Sequence, residues 1–509
     1  MGTSAGSTHG GFPPLEVTKP LLGESSIGET RPMIRCHRRA AVLIWLLLAG
    51  LMGCESSPAP ERFEREDLLA RTWPCNVLVV LLDAARADHF GYLGYDRPTT
   101  PNIDRLAAES IVFEQAYVQA TGTANSIYSM FTSRYPVFEA VPDLVGQNAI
   151  FLADEATTWL EVLSERHPHR LVLSTNAFVR ERLGLTQGAT DVIEDWRPPA
   201  RERRGEPPLY ATRVTEPALA WIDAHADEGF VAYLHYLEPH EPYLPPEPFL
   251  SRFAGDSPRT QLGQTKRLRQ LARRTPQPLM VDAVRDLYDG NLAYVDSHVG
   301  ALMDSLRTRG VLDDTIVVLV SDHGEAFWEH GRRGHGHAPY EELIRVPLIV
   351  HLPTVPELAG TRIAEPVEFV DLMPTLMDLM GVPLETHELA GRSWVDVMIA
   401  GLGDPERTIH ARSNRTKNPV YALRRGGWKW LMHSVDGREE LYDLATDPGE
   451  TLDLVAAGTA DPDLLEGFHG AFRDWISGEG LPADATTPVD NRAMDPEVIE
   501  SLRSLGYID

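Results

Sequence analysis

A chain of 509 residues, 43% hydrophobic and 24% charged, has the length and composition of a globular protein with one large α/β domain and a smaller companion. Its formal charge of −27 argues against binding to nucleic acid or anionic lipid through generic phosphate contacts. Its three cysteines, Cys36, Cys54 and Cys75, leave no disulfide framework to read.

Arg35, Arg38 and Arg39 precede an apolar run over residues 40–52, too short for a comfortable membrane span and suited to a signal-peptide core. The run ends in Leu51-Met52-Gly53-Cys54, which resembles a lipobox with Cys54 as the lipid-bearing residue. The expectation is an exported, membrane-anchored lipoprotein. Residues 1–53 would be extension and signal, and residues 54–75, polar and proline-bearing at their start, a tether.

Short runs of Val, Ile and Leu at 77–82, 171–173, 230–237, 316–320 and 346–352 predict strands buried on both faces of a parallel sheet. Helical patterns at 103–109, 155–165, 212–226, 281–309 and 371–380 lie between them, and the alternation predicts a doubly wound α/β sheet over residues 76–400. In such sheets ligands sit beyond the carboxyl ends of the strands. Over 401–509 the pattern changes to short strands, with a hairpin turn at Asp436-Gly437, and predicts a smaller antiparallel sheet. The segment from Ser251 to Pro278 carries Lys266, Arg267 and Arg269 and reads as a solvated helix, with a grip on a polyanion as the alternative.

Asp83 and the pair Asp322-His323 close two of these strands. Carboxylates facing a crevice are costly without a cation, so a divalent metal is the simplest partner. Thr123, in Thr121-Gly122-Thr123-Ala124-Asn125-Ser126, falls at a helix start whose free N–H groups suit an anionic ester. Its hydroxyl is a candidate nucleophile or metal ligand, with simple helix capping as the bland alternative. His235, Glu238 and His240, then Glu325, His330, His335 and His337, add groups able to protonate a leaving oxygen or bind an anion. A zinc site built from several of these histidines is the rival reading.

Several segments together resemble the sulfatase family of the alkaline-phosphatase superfamily. They are residues 76–83 with Arg86-Ala87-Asp88, Thr100–Ala108, Thr132-Ser133-Arg134-Tyr135-Pro136, Ser321-Asp322-His323-Gly324-Glu325, Tyr340-Glu341-Glu342, Asp371–Thr375 and Glu440–Leu444. The resemblance implies an α/β/α sandwich with a large mostly parallel sheet, a smaller C-terminal antiparallel-sheet subdomain, and one divalent metal ion (Ca, Mn, Mg or Zn). A histidine ligand and few carboxylates favour Mn, Zn or Mg over Ca. By this reading Asp83, Asp322 and His323 hold the metal. Thr123, His240 and His337 are catalytic, and Arg134, His235 and His335 bind substrate. The substrate is an anionic ester, a sulfated or phosphorylated glycan or lipid.

The chain departs from the family where the family's nucleophile is made. Thr123 stands at the position of the Cys or Ser that becomes formylglycine, Asn125 at that of a Pro, Ile127 at that of an Arg, and Ala84 at that of a second metal-binding Asp. The four lysines, Lys19, Lys266, Lys417 and Lys429, all lie outside the segments where the family grips sulfate. Three functions follow: a hydrolase cleaving a sulfate or phosphate ester through Thr123, a phosphodiesterase or phosphotransferase of the Thr type found in lipoteichoic acid synthase, or an inactive glycan-binding relative.

Overall fold

The computed structural model describes residues 64–477 apart from 137–151, 153–155, 256–257, 273–275, 402 and 415–417. The run over residues 40–52, read as a signal-peptide core, and Cys54 lie outside the described residues. Strands β1 (Asn76–Asp83), β2 (Ile111–Tyr117), β3 (His169–Ser174), β4 (Asp191–Glu194), β5 (Phe230–Pro239) and β6 (Thr315–Ser321) enter the main sheet. After the short β7 (Ala326–Phe327) and β8 (Arg333–Gly334) hairpin, β9 (Arg345–His351), β10 (Arg362–Ile363) and β11 (Val367–Glu368) complete it. The strand order is β10-β2-β9-β6-β1-β5-β3-β4, with β11 also on β2.

β1 is central and parallel to both β5 and β6. All its side chains are buried, because helices cover both faces, and this is why its sequence runs Val-Leu-Val-Val-Leu-Leu without alternation. Val77, Val79 and Leu81 face one core and Leu78, Val80 and Leu82 the other. β9 runs antiparallel between β6 and β2, so the sheet is mostly parallel.

Four strands, β12 (Ile409–Arg412), β13 (Val420–Arg425), β14 (Trp428–His433) and β15 (Glu439–Asp443), form the small antiparallel sheet. Gly437 takes φ 66° between β14 and β15, a left-handed turn that glycine adopts without strain. The Pro462–Ile476 helix covers this sheet, with Phe468 and Trp475 packed on Tyr421, Leu423 and Trp430. Both sheets belong to one compact unit.

A buried charge cluster joins the two sheets. The Arg407 guanidinium donates to both oxygens of Asp371 and, at 2.7 Å, to Glu368, whose other oxygen accepts from the His410 backbone N–H at 3.0 Å. Burial pushes the Glu368 carboxyl up, but Arg407 and then His410 overcome this and hold it down to about 2. Replacing Arg407 by Met would strand two buried carboxylates. The expected cost is about 3–5 kcal/mol, read as a lower denaturation midpoint at unchanged slope. Because its folded value is depressed, Glu368 contributes fully above the ordinary value of 4.5, and the contribution is lost as pH falls toward about 2.

Candidate active site

Strands β1, β3, β5 and β6 deliver their carboxyl ends to one point. Asp83 closes β1, Asn176 follows β3, His235 lies in β5, and Asp322-His323 follow β6. Asp83, His235, Asp322 and His323 are fully buried. Asp83, His235 and Asp322 each offer a ligand atom within 4.8 Å of the others.

The turn after β1 fastens these ends together. Ala84 takes φ 58°, a strained value for a residue with a Cβ, and its N–H donates to Asp322 Oδ1 at 3.1 Å. The Ala85 N–H donates to the Ser321 hydroxyl at 2.8 Å. The His323 N–H also donates to Asp322 Oδ1, at 3.0 Å. Asp322 Oδ2 is buried and makes no hydrogen bond. Burial, then the charge of Asp83, raises the Asp322 carboxyl above its ordinary value. Asp83 is held below its own, because His240, His235 and His323 together outweigh the penalty of burial. Two carboxylates crowded out of water, one with an oxygen left without a hydrogen bond, fit a divalent cation, which would relieve their mutual repulsion.

Tautomers separate the two histidines nearest these carboxylates. His323 Nδ1 lies 2.8 Å from the Gly324 carbonyl and must donate to it. Its neutral ring then presents an Nε2 lone pair, which lies 3.6 Å from Asp83 Oδ1, 3.5 Å from Asp322 Oδ2 and 3.2 Å from the Thr123 hydroxyl. His235 Nε2 lies 3.0 Å from Asp83 Oδ2, so it must carry the proton, while Nδ1 accepts from the Tyr233 hydroxyl at 2.8 Å. His235 therefore orients Asp83 from behind. Distance alone groups it with the ligands, although both its nitrogens are hydrogen-bonded, Nε2 to Asp83 and Nδ1 to Tyr233. Asn176 was missed as a site residue, and its amide donates to Asp83 Oδ2 at 2.5 Å.

Thr123 is the first residue of the Thr123–Thr132 helix and is 2% exposed. Gly122 precedes it and offers no capping side chain, so the first N–H groups of the helix are not taken by a cap. Ile127 lies in the core, where the family's Arg would stand.

Beyond His323 stand two more imidazoles. The His335 ring lies 4.3 Å from that of His323 and 5.0 Å from that of His240, between centroids. His335 Nδ1 lies 3.1 Å from Glu325 Oε1, and Tyr243 donates to Glu325 Oε2 at 2.7 Å. Burial pushes the Glu325 carboxyl up, but His335, His240 and Arg333 bring it down to about 2. His240 Nδ1 donates to the Glu241 carbonyl at 2.7 Å, which turns its Nε2 edge the other way.

His337 is placed differently. Its Nε2 lies 3.1 Å from the Gly334 carbonyl, and its ring lines a cavity of about 380 Å³ with His330, Tyr340, His433 and Arg438. Arg134 follows the far end of the Thr123–Thr132 helix and is buried.

A family profile described as Sulfatase matches residues 75–382, more than half of the chain. The chain belongs to the sulfatase family. A choline-sulfatase of Rhizobium meliloti is 31% identical over 251 residues, which cover 44% of this chain and 47% of that protein. The match thus spans about half the length of that relative. An arylsulfatase K of Bos taurus is 25% identical over 475 residues, covering 82% of this chain and 85% of its own. The crystal structure of a phosphonate monoester hydrolase of Agrobacterium radiobacter superposes with a TM-score of 0.61 at 20% identity, over 79% of this chain and 95% of that one. The fold is the family's α/β sandwich with its small C-terminal sheet, and the chain is a sulfatase-like ester hydrolase.

Proposed function

We propose that this family member cleaves a phosphoric ester through Thr123. The observation that carries the reading is the Thr123 hydroxyl, 3.2 Å from His323 Nε2 at an uncapped helix start beside Asp83 and Asp322. Asp83, Asp322 and His323 would hold one divalent cation, with His235 and Asn176 orienting Asp83. When bound, the cation supplies Lewis acidity and charge neutralisation.

The chain's own groups do the rest. The helix N-terminus binds the non-bridging oxygens of the ester. Thr123 Oγ1 displaces the ester oxygen in line, and water then releases the phosphoryl group from Thr123. Glu325, itself held by Tyr243, keeps the His335 ring directed at the reacting centre, where the imidazole receives and returns protons. His240, its ring tilted against that of His335 at 5.0 Å between centroids, faces the departing oxygen.

Chemistry favours phosphorus over sulfur here. A formylglycine hydrate sheds sulfate by collapsing to an aldehyde, and a threonine has no such exit. A sulfuryl-threonine would persist, whereas a phosphoryl-threonine is open to hydrolysis or to transfer to another acceptor.

The test is a panel of para-nitrophenyl sulfate, phosphate and bis-para-nitrophenyl phosphate, each with and without chelator. The expected result is turnover of a phosphate ester, lost with chelator and restored by a divalent cation, with sulfate turnover slower by at least about a hundredfold. Preferred turnover of the sulfate would return the chain to the sulfate chemistry of its relatives. No turnover and no bound metal would favour a binding role.

A further inference from the structure

The start of the Thr123–Thr132 helix is fixed without a cap, and a segment of the small sheet takes over that task. Most helix starts are secured by a Ser, Thr, Asp or Asn whose side chain accepts from the first free N–H groups. Here that would consume the donors that an anionic ester needs, and Gly122 at the cap position offers no such acceptor. The Thr121 hydroxyl is also committed elsewhere. It donates to the His337 carbonyl at 2.9 Å and accepts the Asn414 N–H at 3.1 Å.

Asn414 follows β12 and reaches the helix from the side. Its Oδ1 accepts from the Asn125 amide, two residues beyond Thr123. Two further contacts bring the same segment in. Ala120 and Arg412 form a parallel bridge, and the Arg412 N–H donates to the Gln119 carbonyl at 3.0 Å. The Asn414 amide presses on Gly122, where a Cβ would stand 2.9 Å from Asn414 Nδ2. Gly122 has φ −171°, which any residue adopts, so this close approach and not backbone strain is what demands glycine there.

We propose that Asn414 is a positioning residue that sets the start of the Thr123 helix from the small sheet, and so leaves the helix N–H groups open to the ester. The proposal rests on the reading of Thr123 as nucleophile. It gives the Asn at the family's Pro position a task, since Asn125 is the helix-side partner of Asn414. It also gives the C-terminal sheet a part in turnover without contact to substrate.

Three variants test it: Asn414→Ala, which removes the amide and keeps the backbone bond to Thr121; Gly122→Ala, which displaces Asn414 from the other side; and Asn125→Ala. Each is assayed on the phosphate ester that the wild type turns over fastest, with Thr123→Ala in parallel. The expected result is a fall in kcat of about ten- to a hundredfold in each, because a misplaced nucleophile loses its alignment. KM and metal content stay at wild-type values. The Asn125→Ala/Asn414→Ala double variant should lose less than the product of the two single losses, since the two side chains share one hydrogen bond.

An inactive Thr123→Ala beside folded Asn414→Ala and Gly122→Ala proteins of wild-type kcat would overturn the positioning role and leave the nucleophile reading intact. An active Thr123→Ala would reject both. A loss in Asn414→Ala that follows metal content or melting temperature, with KM rising alongside, would reduce Asn414 to a structural contact and also overturn the proposal.

Discussion

Thr123→Ala is expected to lower kcat by at least about a thousandfold, because covalent catalysis is lost while the donors of the helix start and the binding groups remain. The substitution is small and lies at the first position of a helix, where Ala is well tolerated. The methyl and hydroxyl removed are 2% exposed, so a stability loss of about 1 kcal/mol is the most to expect. Asp83, Asp322 and His323 are untouched, and bound metal measured by elemental analysis should stay within error of the wild type. Full activity in the variant would mean that water attacks the ester directly and that Thr123 only lines the site.

Asp322→Asn has the second large effect, and its sign on stability is unusual. In the metal-free protein the Asp322 carboxyl is raised by burial and by the neighbouring charge of Asp83, so its ionised form costs stability at neutral pH. The neutral amide removes that cost, and Oδ1 can still accept from the Ala84 and His323 N–H groups. Metal-free Asp322→Asn should therefore melt at or above metal-free wild type. Adding a divalent ion at about a hundred times its dissociation constant should stabilise the wild type by about 2.7 kcal/mol and the variant far less. Metal affinity should fall by more than the roughly ten- to hundredfold typical of removing a group that only orients a ligand, and turnover with it. A variant that melts well below wild type without metal would show Asp322 to be held by protein partners, not poised for a cation.

The sequence made the central sheet legible because its strands are buried on both faces and carry uninterrupted apolar runs that end in Asp or His. β2 was not read as a strand. Glu114 and Gln115 break its apolar run where the ladder with β9 shifts register. The helix read over 155–165 is shorter in the structure, a capped turn at Trp159–Val162 followed by a tighter turn. The convergence of Asp83, Thr123, Asp322 and His323 was readable from strand ends and motif spacing. The division of labour among the histidines was not. Whether His235 faces substrate or backs Asp83 depends on the Tyr233 hydroxyl two residues away on the same face of β5, and a residue-type pattern does not encode that orientation. His335 and His337 are likewise two apart, yet one packs its ring against His323 and the other lines a separate cavity. Asn176 carried a faint signal, an amide just past a strand end. Asn414 carried none, because the role proposed for it comes from a contact with Asn125, 289 residues away in the chain.

The most direct test of the account is the stereochemical course at phosphorus during hydrolysis of an isotopically chiral phosphate ester. Two successive in-line displacements, first by Thr123 and then by water, predict net retention of configuration. Net inversion would mean a single displacement by water and would contradict the role given to Thr123.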